Sequence, residues 1–163
     1  MVYFVYARCR VAPMKKMSIP RLELLAALLC ARLTTFVKTS LKLDNMKIYC
    51  YSDSTAVISW INSDPLKYKA FVANRITEIQ ELVPPVCWLH VPGLYNPADI
   101  ASRGAMASEL MSKDYWFNGP LWLREHEKFP NTDDIVLLIV EEEFLGDKEP
   151  SYCNISNFEN YSN

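Results

Sequence analysis

The chain has 163 residues, half of them hydrophobic, with 22% charged, 12% aromatic and a net charge of −2. That length and composition suffice for one globular core without disulfide or metal staples, and they exclude a disordered polymer. No apolar run approaches the ~20 residues of a membrane span, and only Met1 precedes the short apolar run Val2–Val5, too little for a secretory leader. The expectation is an intracellular protein, cytoplasmic or nuclear, with no membrane partner.

The near-neutral charge hides a split. Residues 1–130 hold 16 basic and 11 acidic residues, net +5, whereas residues 131–163 hold 1 basic and 8 acidic, net −7. A basic body can accept nucleic acid, and an acidic tail would shield it; the plainer reading is a solvated surface with a solubilising tail. Cys9, Cys30, Cys50, Cys87 and Cys153 form no CxxC pair, so they read as reduced thiols. With two histidines and four glycines, neither a Cys/His zinc site nor a phosphate-cradling loop has support.

In chain order, the β-branched and aromatic stretch Val2–Cys9 predicts a strand. Ser18 offers a helix N-cap with Pro20 in the first turn, and Leu22, Leu25, Leu29, Leu33 and Phe36 recur at helical spacing to near Lys38. Lys47–Tyr51 predicts a short strand, which Ser52-Asp53-Ser54 ends while capping a helix through Trp60. Tyr68–Leu82 predicts a second amphipathic helix, stopped by Pro84-Pro85. Val86–Val91 reads as a strand, Pro92-Gly93 as a turn, and Asn96-Pro97 as a helix start. Trp116, Phe117 and Trp122 suit packing of a helix onto the sheet, with base stacking as the alternative. Ile135–Val140 could add a strand, and disorder is expected beyond Gly146. The order β-α-β-α-α-β-α specifies an α/β fold with helices on a mixed sheet.

Three carboxylates stand out, each with an ordinary explanation. Glu23 would favour a helix dipole, Asp53 would cap a helix, and Asp99, as the third helical residue after Asn96, would sit at a favourable helix start. Together they suggest convergence, because two follow strands and the third lies on the helix between, and α/β sites form at the carboxyl ends of strands. Small Ala26, Ala27 and Cys30 would let that helix approach the sheet. Converging carboxylates repel unless cations bind them, and hard oxygen ligands suit Mg²⁺ or Mn²⁺.

Several segments in order carry a resemblance: Ile19-Pro20-Arg21-Leu22-Glu23-Leu24, Tyr51-Ser52-Asp53-Ser54-Thr55, Phe71-Val72-Ala73-Asn74-Arg75, Trp88-Leu89-His90-Val91-Pro92-Gly93 and Asn96-Pro97-Ala98-Asp99 through Arg103-Gly104. This succession resembles the ribonuclease H-like region of BEL/Pao-type retrotransposon polyproteins over residues 1–124, leaving 125–163 as an acidic extension. The resemblance implies a mixed sheet flanked by helices and four carboxylates holding two divalent metals, Mg²⁺ or Mn²⁺, that cleave the RNA strand of an RNA–DNA hybrid. By motif, Glu23, Asp53 and Asp99 match three of those acids. By that resemblance the first two strands, with the fourth acid, would lie upstream of Val2, so the chain is expected to lack them. That departure implies a fragment inactive by itself, with an open sheet that a partner segment could complete.

Arg21, Arg75 and Arg103 are candidate phosphate contacts, against a plain role in surface solvation. His90 lies on a strand and reads as structural. Two alternatives remain. One is a non-catalytic remnant that binds nucleic acid or protein. The other, an aspartic peptidase, is weak, because Asp53-Ser54-Thr55 lacks the glycine that a peptidase loop needs.

Overall fold

The structure, a computed structural model, describes residues 4–10, 16–43, 46–100 and 104–124. A long helix α1 (Ile19–Ser40) leads into strand β1 (Cys50–Ser52), helices α2 (Thr55–Ile61) and α3 (Ala70–Leu82), and strand β2 (Trp88–His90). Three short helices follow, α4 (Ala107–Met111), α5 (Asp114–Asn118) and α6 (Leu121–Arg124). The two strands are parallel, pairing Cys50 with Trp88, Tyr51 with Leu89 and Ser52 with His90. Helices α2 and α3 form the crossover between them, as a parallel pair requires. The result is a small α/β region: a two-stranded sheet flanked by helices.

Local chemistry explains most boundaries. Ser18 adopts extended backbone before α1 with Pro20 in the first turn, although its hydroxyl makes no capping hydrogen bond. Ser54 caps α2 by accepting from the Val57 amide at 3.2 Å. Asp64 accepts from the Leu66 amide at 3.0 Å, opening the turn Pro65–Lys67 that leads into α3. Pro85 begins a single 3₁₀ turn that delays β2 to Trp88, so the strand is shorter than the apolar run Val86–Val91.

The core forms where α1, α2 and α3 meet the two strands. Leu24, Ala27, Leu28 and Ala31 of α1 are buried, together with Val57, Ile58 and Ile61 of α2 and Val72, Ile76 and Ile79 of α3. Burying one such aliphatic side chain contributes roughly 1.5–3 kcal/mol. Polar links lock the same helices. The Arg32 Nε and Nη2 donate to the two carboxylate oxygens of Glu78 at 2.6 and 2.9 Å. Gln80 donates from Nε2 to the carbonyls of Ile61 at 2.8 Å and Ser63 at 3.0 Å, tying α3 to the end of α2. Under α1, Cys30 hydrogen-bonds Cys50, a contact that, together with burial, pushes the Cys50 thiol up and makes it a poor nucleophile.

Four expectations are corrected. Residues 4–10 form no strand; Phe4 instead donates its amide to the Phe117 carbonyl at 3.1 Å and packs on Trp116. The buried stripe of α1 is Leu24, Ala27, Leu28 and Ala31, whereas Leu22, Leu25, Leu29 and Leu33 are half-buried and Phe36 is 57% exposed. Leucines surround more than half of this helix, so two adjacent stripes satisfy the helical period, and the alanines select the one that lets α3 approach. Ala26 is exposed and plays no part in that approach. Helix α3 begins at Ala70, because Tyr68 is extended and buried against Trp60, their ring centroids 6.2 Å apart. Ile135–Val140, Cys153 and the whole acidic extension lie outside the described residues.

Ile76→Ala removes a fully buried side chain between α1 and α3 and is expected to lower unfolding free energy by about 2–5 kcal/mol. Phe36→Ala, at an exposed position, is expected to cost under about 1 kcal/mol. Urea denaturation of both variants checks the difference.

Candidate functional site

Glu23, Asp53 and Asp99 come from three separate elements. Glu23 lies on α1 beyond its first turn, which holds no acid, so the helix-dipole explanation for it fails. Asp53 follows β1 directly, but Ser54 is the residue that caps α2, so Asp53 is not engaged as a cap. Asn96 accepts from the Ala98 amide at 3.1 Å, and the turn it opens carries Asp99 into helical backbone.

These placements bring the three carboxylates together. The Glu23 carboxyl is held above the usual carboxylate range, first by burial and then by the negative charges of Asp53 and Asp99. A hydrogen bond with Ser54 opposes that rise. The turn Gly93–Tyr95 passes over the cluster so closely that a Cβ on Gly93 would sit 3.4 Å from the Asp53 Oδ2. Ser54 and Gly93 therefore belong to the site, although neither was singled out from sequence. Ser54 was hidden among three adjacent cap candidates. The Pro92-Gly93 turn was legible, but its position over Asp53 was not.

Hard oxygen donors suit a divalent cation, yet the arrangement does not form a site for one. Among the described residues, no group of three or more His, Cys, Asp or Glu side chains is placed to hold a metal ion. The carboxylates are near enough for Asp53 and Asp99 to raise the Glu23 proton affinity. His90 is half-buried on β2, in line with a structural role.

The candidate phosphate contacts divide. Arg21 and Arg75 both stack on the Phe71 ring, their guanidinium carbons 5.0 and 3.5 Å from its centroid. Arg75 also donates to the Phe71 carbonyl at 2.6 Å. Partial burial, then the nearby Arg21 and Arg32 charges, lower the Arg75 proton affinity, while Glu78 offsets part of this. Phe71 is thus the organiser of this basic patch, through cation–π contacts that spacing alone did not reveal. Arg103 lies outside the described residues. Among the aromatics, Trp122 packs edge-on to Tyr51 at 4.9 Å and donates to the Tyr95 carbonyl at 3.3 Å, which supports the packing role over base stacking.

The model of the Pao retrotransposon-like RNaseH-like domain family matches residues 1–54 of the chain. That match includes Glu23 and Asp53 and stops short of Asp99. No curated protein and no solved structure matches the chain. No helix among the described residues is long and apolar enough to cross a membrane.

Because the Glu23 pKa is raised on folding, the native state binds a proton more readily than the unfolded chain. Stability from this group is fully present below its ordinary pKa of 4.5 and is lost as pH rises through the higher folded value. Glu23→Gln is therefore expected to melt higher than the parent at pH 7, with the difference shrinking toward pH 4. Thermal melts across that range provide the check. Ser54→Ala removes the α2 cap and is expected to cost about 1 kcal/mol in the same assay.

Proposed function

We propose that the chain is a retrotransposon-derived ribonuclease H-like fragment whose ancestral chemistry was metal-dependent hydrolysis of RNA in RNA–DNA hybrids. In this reading Glu23, Asp53 and Asp99 are inherited metal-ligand positions, and the chain alone does not turn over substrate. The observation that carries it is the meeting of these three carboxylates at the carboxyl ends of β1 and β2 without closure into a cation site. The family match over residues 1–54 supports the lineage. The parallel strand pair with its helical crossover agrees with part of such an architecture.

Two-metal hydrolysis needs both ions fixed against the attacking and leaving oxygens. By the resemblance a fourth acid completes the set, and three acids leave those oxygens with less of that support. What this chain's residues do retain is placement. Packing of α1 holds Glu23 beside Ser54, and the Gly93–Tyr95 turn confines Asp53.

A second reading, non-catalytic nucleic-acid binding, is favoured by Arg21 and Arg75 stacked on Phe71 and by the basic balance of residues 1–130. Phosphate contacts by such a patch release counterions, so affinity falls as salt rises. Arg103, beside Asp99 in sequence, belongs to the same proposal.

The deciding assay incubates the chain with an RNA–DNA hybrid in Mg²⁺ or Mn²⁺ beside Asp53→Asn. Both proteins are expected to leave the RNA strand intact; turnover that disappears in Asp53→Asn would overturn the inactivity. Hybrid binding is expected to weaken with salt, and Arg21→Gln to lower the log–log salt slope by about 1. Binding indifferent to salt would sink the second reading.

A further inference from the structure

Away from the carboxylates, the C-terminal half of α1 and the extended residues before β1 leave an open groove of about 300 Å³. Its floor and walls are apolar, with Tyr6, Leu33, Val37 and Ile48, and Lys38 and Lys47 stand at its sides. Tyr6 is 51% exposed although its ring lies 6.0 Å from that of Phe36, itself a surface aromatic. Beside the groove, β1 pairs with β2 on one edge and, among the described residues, with nothing on the other. An apolar groove beside an open strand edge is a template for an added strand.

We propose that this groove is the docking site of the chain's own segment Ile135–Val140, laid as a strand along the residues that lead into β1. Three observations select this occupant. The segment is a six-residue run, Ile-Val-Leu-Leu-Ile-Val, that as a strand presents alternate side chains to the groove. Its flanks are acidic, Asp133-Asp134 before it and Glu141-Glu142-Glu143 after it, and they complement Lys38 and Lys47 at the groove and Lys42 in the adjacent turn. The described chain also ends near β1: Trp122 packs on Tyr51, and Phe117 contacts Phe4, the sequence neighbour of the groove residue Val5. The intervening residues 125–134 reach up to about 35 Å when extended, ample for a return to that edge. The docked segment would cover the open edge and neutralise part of the basic body with the acidic tail.

Hydrogen exchange on the full-length chain tests the proposal without truncation. Amides of residues 135–140 are expected to exchange at least about tenfold more slowly than unstructured peptide. That protection is expected to fall severalfold in Lys38→Glu/Lys47→Glu, and to vanish in Leu137→Asp/Leu138→Asp along with protection of residues 46–50. Both variants alter surface or tail positions, and continued protection of Val72–Ile79 within α3 shows that the fold is intact. Exchange at unstructured rates in the parent overturns the proposal. Protection that survives the lysine reversals overturns it too. Protection lost on tenfold dilution assigns the groove to a second copy instead.

Discussion

The packing of α1 against α3 is the constraint on which the rest of the molecule depends. Strands of three residues in a two-stranded sheet do not stabilise themselves. Their register is imposed from outside, by helices whose buried faces fix where β1 and β2 meet. Leu24, Ala27, Leu28 and Ala31 form one side of that contact, and Val72, Ile76 and Ile79 the other. The alanines matter as much as the larger residues, because their size lets the two helix backbones approach. The Arg21–Phe71–Arg75 stack and the Arg32–Glu78 pair link the same two helices at their surface. Exposed ion pairs contribute little, typically under 1 kcal/mol, so burial sets the scale and the charges refine orientation.

The carboxylate cluster follows from that packing rather than from any attraction among its members. Leu24 is fully buried, and its neighbour Glu23 is carried toward β1 with it. Asp53 is placed by the turn between β1 and α2, and Asp99 by the Asn96 turn after β2. Three independent elements thus converge their acids where electrostatics alone would separate them. The unfavourable term falls on Glu23, the most confined of the three, with burial as the larger part and its neighbours' charge as the smaller.

Much of this was legible in the sequence, for reasons that differ between elements. The prolines Pro20 and Pro84-Pro85 and the polar run Ser52-Asp53-Ser54 are local chemistry, and they placed α1, α2, α3 and both strands to within a few residues. The inward stripe of α1 was not legible, since leucines at 22, 24, 25, 28 and 29 support two faces at one period. Only the tertiary partner α3 decides between them. Val2–Cys9 has strand composition, but strands need a neighbour to pair with; residues 4–10 find Phe117 and Trp116 instead. Convergence of Glu23, Asp53 and Asp99 was readable from their places after strands and on the intervening helix. The lack of a metal-holding group among the described residues was not, because ligand distances are not encoded in residue pattern.

A metal site requires its ligands to be held by elements that are themselves rigid. Glu23 meets this requirement, since α1 is long and anchored through four buried residues. Asp53 sits at the end of a three-residue strand that, among the described residues, is paired on one edge, and Asp99 follows the turn that Asn96 opens. Whatever covers the open edge of β1 would stiffen the strand that carries Asp53. The groove and the carboxylate cluster are therefore linked through β1, whose approach lines the groove and whose carboxyl end carries Asp53.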